Sequence, residues 1–414
     1  MNRNSTETES NSMPKDKFIS RRELLTITSV TAAYALMSKT ALGKEPETVE
    51  TIQDVIRSQL PGRLGDPNLT LVNDSRADPR ITAIFQSAGV SGFGLEPIPL
   101  DASIERCRAW LQQFEEESEK QNEALFSLMP QFDDIDRTTE VITGVDGNQI
   151  MIFIHRPKQV GDSIPCIVHA HGGGMVLTSA ADPLYVRWRN ELARSGCLVI
   201  GVEFRNAAGR LGDHPFPAGL NDCASALQWA NDKRTALGVS NLLISGESGG
   251  GNLALATVLK AKYDGWIEQI DGVFALCPDI SCKYLDADPQ LLSLKENEGY
   301  IVDTSYLGPL LSRVYDPTSE NARNPLAWPY YAESSNLAGL PPHVISVNEL
   351  DPLRDEGLAY YRKLVAAGVP AVGRIVAGTP HGADIGLPDV IPEVFRATVG
   401  AVASFAKGIA LQSR

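Results

Sequence analysis

The stretch Leu242-Leu243-Ile244-Ser245-Gly246-Glu247-Ser248-Gly249-Gly250-Gly251-Asn252-Leu253-Ala254-Leu255-Ala256 decides the fold. Its first residues are an apolar run of strand length, and its last open a helical pattern. Between them lies G-x-S-x-G. A serine on so sharp a strand-to-helix turn occupies strained backbone and needs neighbours without bulk, which Gly246 and Gly250 are. The turn lifts the hydroxyl clear of the strand. It also sets it at a helix N-terminus, where free N–H groups and partial positive charge favour developing negative charge. A phosphate-binding loop is the rival reading of such a turn, but no Gly-Lys-Ser/Thr follows.

The same strand-then-helix texture recurs on either side of this elbow. Strands are predicted at Cys166–Ala170, Leu198–Glu203, Leu242–Ser245, Val273–Leu276, Val344–Val347 and Val372–Val376, and helices over 183–195, 219–236, 250–263, 355–367 and 391–407. Short unbroken apolar runs separated by helices imply an α/β fold, a mostly parallel sheet with helices on both faces. A hairpin is predicted from 138–143 and 149–155 around Asp146-Gly147. The alternation fails over 278–340, an insertion of the size that forms part of a cap over a site. Residues 46–130 read as helical and irregular, with helical periodicity over Thr51 to Leu60 and an amphipathic pattern over Ile104 to Leu128, cut into pieces by Pro61, Pro67, Pro79 and Pro97. The expected division is a catalytic domain at 131–410, a helical cap region at 44–130 joined by 278–340, and a leader at 1–43.

Two further segments supply what a serine nucleophile needs. His169-Ala170-His171-Gly172-Gly173-Gly174 follows a strand directly. Acyl transfer creates an alkoxide that needs preorganised donors, and backbone N–H groups in a side-chain-free loop approach it closely. Gly173, Gly174 and Gly249 are the expected donors. Gly172, Glu247 and His171 are supporting residues, His171 as a structural hydrogen bond rather than a catalytic group. The base must be one of six histidines. His155 lies in a strand pattern, His169 and His171 in the oxyanion segment, His214 in a Pro-rich loop, and His343 opens a strand. His381, in Gly378-Thr379-Pro380-His381-Gly382, comes after the last strand, where the chain order serine, acid, histidine puts the base. The acid belongs between them at a strand end, and Asp351 is chosen because Pro352 favours extended, loop-like backbone there. Asp355 and Glu349 are the alternatives; Asp355 and Glu356 fit the first turn of the next helix.

Composition narrows the function classes. With 414 residues, 43% of them hydrophobic, the chain has ample material for a core. A net charge of −14 disfavours nucleic acid and anionic membranes as partners. No apolar stretch is long enough for a permanent membrane span. The six cysteines form no C-x-x-C and no Cys/His cluster with zinc-ligand spacing, and nucleophilic catalysis by a serine and its base needs no metal or cofactor. Cys277 and Cys282 are close enough in sequence to pair in an oxidising compartment. Ser20-Arg21-Arg22-Glu23-Leu24-Leu25 and the uncharged stretch to Ser38, then small residues around Ala41 and Gly43, read as an export signal. The paired arginines resemble a twin-arginine signal, which implies a periplasmic location.

Taken together, His171-Gly172-Gly173-Gly174, Gly246-Glu247-Ser248-Gly249-Gly250, Asp351-Pro352-Leu353-Arg354-Asp355-Glu356-Gly357, His381-Gly382 and His214-Pro215-Phe216-Pro217-Ala218 resemble the hormone-sensitive-lipase-like esterases, bacterial esterase family IV. The similarity covers about residues 130–408 and, more weakly, the helical part before them. It implies an α/β-hydrolase fold with about eight strands, a helical cap, and hydrolysis of small carboxylic esters through an acyl-enzyme on Ser248, Asp351 and His381. A small-molecule ester is the expected partner, with a second copy of the chain, as a homodimer, the other candidate. Departures surround the acyl pocket: Met175 replaces an aromatic residue, Arg205-Asn206-Ala207-Ala208 replaces Arg-Leu-Ala-Pro, and Glu247 and Gly249 stand where many members have Asp and Ala. The same triad serves amides and carbamates, and a binding protein on a retired hydrolase scaffold is the reading from another class.

Overall fold

A computed structural model describes residues 59–87, 95–126, 129–161, 163–286 and 288–412. The eight strands are β1 (Ile135–Thr143), β2 (Gln149–Pro157), β3 (Ile164–Ala170), β4 (Leu198–Glu203), β5 (Val239–Glu247), β6 (Gly272–Leu276), β7 (His343–Asn348) and β8 (Ala371–Val376). They join one sheet in the order β1-β2-β4-β3-β5-β6-β7-β8. β1 pairs β2 and β2 pairs β4 antiparallel; every other pair is parallel. The Asp146-Gly147 hairpin closes with the Gly144 N–H donating to Asn148 O at 2.8 Å and Gly147 in the left-handed region at φ 79°.

The longer helices among the described residues are α1 (Pro79–Ser87), α2 (Ile104–Phe126), α3 (Pro183–Arg194), α4 (Ala218–Asp232), α5 (Gly249–Tyr263), α6 (Leu307–Tyr315), α7 (Arg354–Ala366) and α8 (Pro392–Gln412). Alternate strand residues face opposite layers. Ile167, Leu243, Phe274 and Val344 pack with Trp188 and Leu192 of α3 and Phe395, Val399 and Val402 of α8. Val168, Ile244, Ala275 and Ile345 share the other core with α4, α5 and α7. A one-residue slip would exchange these faces, at about 1.5–3 kcal/mol for each large side chain displaced, so the register is specified by burial on both sides. That burial is also why the strands read as unbroken apolar runs.

From the 278–340 stretch Asp279, Tyr284, Ile301, Leu307 and Leu311 line the cavity that contains Ser248, and α2 packs against this stretch. Trp110 stacks on Phe114 at 5.5 Å and meets Tyr306 edge-on at 5.7 Å, and the Tyr306 hydroxyl accepts from the Ile98 N–H at 2.6 Å. The buried Glu115 of α2 reaches down into the hydrolase layer, accepting from the Thr178 N–H at 2.5 Å and the Arg210 N–H at 2.7 Å.

One expectation needs adjusting. The helix expected over 219–236 breaks at Lys233, whose φ of −91° and ψ of 4° leave helical geometry, and resumes as a short turn at Arg234–Leu237. Cys277 and Cys282 are free thiols: Cys277 packs beside Asp351 and His381, whereas the Cys282 thiol turns to Ala322 O at 3.9 Å. The helix over Ile104 to Leu128 is described to Phe126. The leader at 1–43 and the helical pattern at 51–58 lie outside the described residues, and among those residues no helix is long and apolar enough to cross a membrane.

Candidate active site

The elbow forms because β5 runs straight into α5. Ser248 takes φ 55° and ψ −122°, a left-handed conformation that side chains rarely adopt. Its N–H donates to Leu276 O at 3.0 Å and its carbonyl accepts from the N–H groups of Asn252 and Asp279, so the turn is fixed on both sides. Gly250 is needed for proximity rather than for φ. A Cβ there would lie 2.1 Å from Ala170 O, so α5 can sit this close to the end of β3 only without one.

The oxyanion segment folds over this turn. Gly173 and Gly174 have φ of 96° and 64°, and among the described residues neither N–H donates to a protein acceptor. A Cβ on Gly249 would lie 2.6 Å from the Gly174 N, which measures how closely the two loops approach. Glu247 ties them together. Its Oε1 accepts from the Gly172 N–H at 2.9 Å and its Oε2 pairs with His169 Nε2 at 2.8 Å. His171 holds the loop from within: Nδ1 lies 2.9 Å from Gly172 O, and the ring stacks on Phe204 at 4.1 Å. Burial pushes the His171 pKa down to about 3, so this ring is neutral and structural.

His381 alone of the six histidines lines the cavity that contains Ser248. Its Nδ1 is 2.8 Å from Asp351 Oδ2, and the Leu353 N–H holds the other Asp351 oxygen at 2.9 Å. Asp355 and Glu349 are engaged elsewhere, by the Ser293 N–H at 2.8 Å and the Gly378 N–H at 2.7 Å. No hydrogen bond joins Ser248 Oγ to the ring, a contact that often tightens only with substrate bound. The cavity, of about 110 Å³, is otherwise mostly apolar, with Leu184, Ile301, Leu307, Leu311, Leu353 and Ile385 in its walls.

Burial acts to lower the His381 pKa, but the charge and hydrogen bond of Asp351, and then Asp279 and Asp384, outweigh it and raise the pKa above the ordinary 6.5. The neutral ring is the form that can take a proton. Activity is therefore expected to rise with pH as the ring deprotonates, with the acid limb of kcat/KM at an apparent pKa above 6.5. A profile on a soluble ester with its inflection below that value would show that burial, not the carboxylates, governs the ring.

Cys277, Asp351 and His381 offer donor atoms within 4.8 Å of one another, the one such group of three among the described residues. Two of them already bond each other, and burial, reinforced by Asp351, holds the Cys277 thiol protonated. Three site residues escape the sequence reading. Asn348 presents Oδ1 to the Gly382 N–H at 3.1 Å and so anchors the His381 loop. Asn297 donates Nδ2 to the Asp351 carbonyl at 3.1 Å. Asp279 lines the cavity at the C-terminal end of β6, and that position, where parallel sheets meet their ligands, is the signal that could have found it.

Residues 167–384 match the family described as the α/β hydrolase fold. The chain is 30% identical to an arylesterase of Saccharolobus solfataricus over 65% of this chain and 84% of that protein. It is 31% identical to carboxylesterase NlhH of Mycobacterium tuberculosis over 56% of this chain and 71% of that one. Among solved structures it resembles brefeldin A esterase, described as a bacterial homologue of human hormone sensitive lipase, with a TM-score of 0.79, 40% identity and coverage of 85% of this chain and 99% of that one. Esterase Est22 matches with a TM-score of 0.72 and 36% identity over 82% of this chain and all of its own.

Proposed function

The chain belongs to the hormone-sensitive-lipase-like branch of the α/β-hydrolase fold family, and from that premise we infer that it is a carboxylic ester hydrolase. The observation that carries the reading to particular residues is the 2.8 Å His381–Asp351 hydrogen bond opening on the same cavity as the elbow serine. In the proposed mechanism Ser248 Oγ adds to the ester carbonyl while His381 Nε2 takes its proton. The carbonyl oxygen becomes an alkoxide and receives the N–H groups of Gly173, Gly174 and Gly249, each such donor contributing about a hundredfold or more in rate. Collapse expels the alcohol, which leaves with the proton from His381. Water, activated by the same ring, then releases the acid and restores the serine. Asp351 keeps Nδ1 protonated throughout and stabilises the imidazolium.

The modest apolar cavity supports short acyl or aryl esters as substrates. On p-nitrophenyl acetate, butyrate, octanoate and palmitate, kcat/KM is expected to peak at acetate or butyrate. A peak at palmitate would overturn the short-chain assignment. Turnover of a matched anilide but of no ester would move the assignment to amides, and failure of a fluorophosphonate probe to label folded protein would move it to a binding scaffold.

Export is proposed on Arg21-Arg22 and the uncharged stretch after them. Replacing both arginines by lysine is expected to hold the protein in the cytoplasmic fraction, and unchanged fractionation would refute it.

A further inference from the structure

Asp279 is a second carboxylic acid in the active-site cavity, and the mechanism above gives it no task. It lines the cavity with Ser248 and His381 and is 7% exposed. Its backbone is held twice: the N–H donates to Ser248 O at 3.1 Å and the carbonyl accepts from Asn252 Nδ2 at 2.8 Å. Its Oδ1 accepts from the Tyr284 hydroxyl. Oδ2 has no partner among the described residues and is not sealed, so it opens on the cavity. The other carboxylates in these walls accept more hydrogen bonds from the protein than Asp279 does. Glu247 is taken by His169 and Gly172, and Asp303 Oδ1 accepts from the Ser305 and Tyr306 N–H groups and from the Ser305 hydroxyl.

A buried acceptor with a free lone pair loses free energy unless something donates to it. Once a ligand fills the cavity and displaces solvent from the mostly apolar walls, its own groups must supply that donor. We propose that Asp279 Oδ2 is a recognition point for esters carrying a hydrogen-bond donor, a hydroxyl or protonated amine, on the acyl or alcohol part near the scissile carbonyl. The two backbone bonds and Tyr284 hold the carboxyl in place before substrate arrives, so little ordering cost falls on binding. The charge state does not decide the matter. Burial raises the Asp279 pKa while Tyr284 and then His381 oppose it, but ionised or protonated the group keeps an acceptor oxygen.

The proposal rests on the esterase reading, and the test separates the two. kcat/KM is measured for two matched pairs: p-nitrophenyl 3-hydroxybutyrate against p-nitrophenyl butyrate, and 2-hydroxyethyl butyrate against propyl butyrate. In the wild-type protein the donor-bearing member of at least one pair is expected to lead by about tenfold or more, the value of a hydrogen bond to a charged or buried group. Asp279→Asn is isosteric. Its oxygen stays with Tyr284, which turns the NH2 group to the cavity and replaces an acceptor by a donor. The preference is expected to vanish in this variant, whereas a merely structural role for Asp279 would lower both members of a pair together. No preference in the wild type, or a preference that survives Asp279→Asn, overturns the proposal and leaves the esterase reading intact. No turnover of any of these esters overturns the esterase reading itself.

Discussion

Ser248→Ala is expected to lower kcat on every ester by about 10⁴-fold or more, because the acyl-enzyme cannot form without the hydroxyl. What remains should be the small catalysis supplied by the oxyanion loop and binding alone. The change removes one oxygen that makes no hydrogen bond among the described residues, so it leaves no buried partner there orphaned. It also keeps a Cβ at φ 55°, so the backbone strain of the elbow, of order 1–3 kcal/mol, is neither relieved nor increased. Thermal unfolding should therefore superimpose on wild type while turnover and fluorophosphonate labelling disappear together. A residual rate within tenfold of wild type would mean that another group attacks the ester. Loss of activity together with a fall in Tm would mean that the serine matters to the fold rather than to the chemistry.

Asp351→Asn should cost about 10⁴-fold in kcat with KM little changed, through a tautomer rather than a lost charge alone. Asp351 Oδ1 accepts from the Leu353 N–H, and Oδ2 accepts from His381 Nδ1. In asparagine the carbonyl oxygen stays on the Leu353 N–H, which turns the NH2 group toward the ring. Nδ1 must then act as acceptor, and the ring proton moves to Nε2, the atom that has to receive the serine proton. The same substitution removes the largest of the influences that raise the His381 pKa. The measurement is kcat and KM on p-nitrophenyl butyrate across pH. A loss below about tenfold would indicate that Asp279 or Asp384, the other carboxylates near the ring, orients it in place of Asp351.

What could be read from the chain and what could not divide along a physical line. The elbow was legible because its requirements are local: an apolar strand, a turn that backbone contact keeps free of side chains, and a helix start, all within fifteen residues of Leu242. The parallel strands were legible because both their faces are buried. The hairpin strands were predicted short, as 138–143 and 149–155 against Ile135–Thr143 and Gln149–Pro157, since β1 is exposed along most of its length and carries little apolar signal. Asp279, Asn297 and Asn348 were not legible as site residues. Each is an ordinary polar residue until the fold brings it within reach of a partner distant in sequence, as Asn297 reaches the Asp351 carbonyl across 54 positions. Sequence spacing shows groups that share one turn; it does not show groups that share one cavity.

Glu115 bears on kinetics as well as architecture. One carboxylate on the bracing helix holds the Thr178 and Arg210 N–H groups, and Thr178 in turn donates its hydroxyl to Gly172 O at 3.1 Å, within the oxyanion segment. A brace wired to the loop of Gly172, Gly173 and Gly174 does not swing aside as an independent door without disturbing that loop. Among the described residues, then, no independent door waits for an oil–water interface. Its rate should follow a plain saturation curve in dissolved ester and pass the solubility limit of the substrate without a jump.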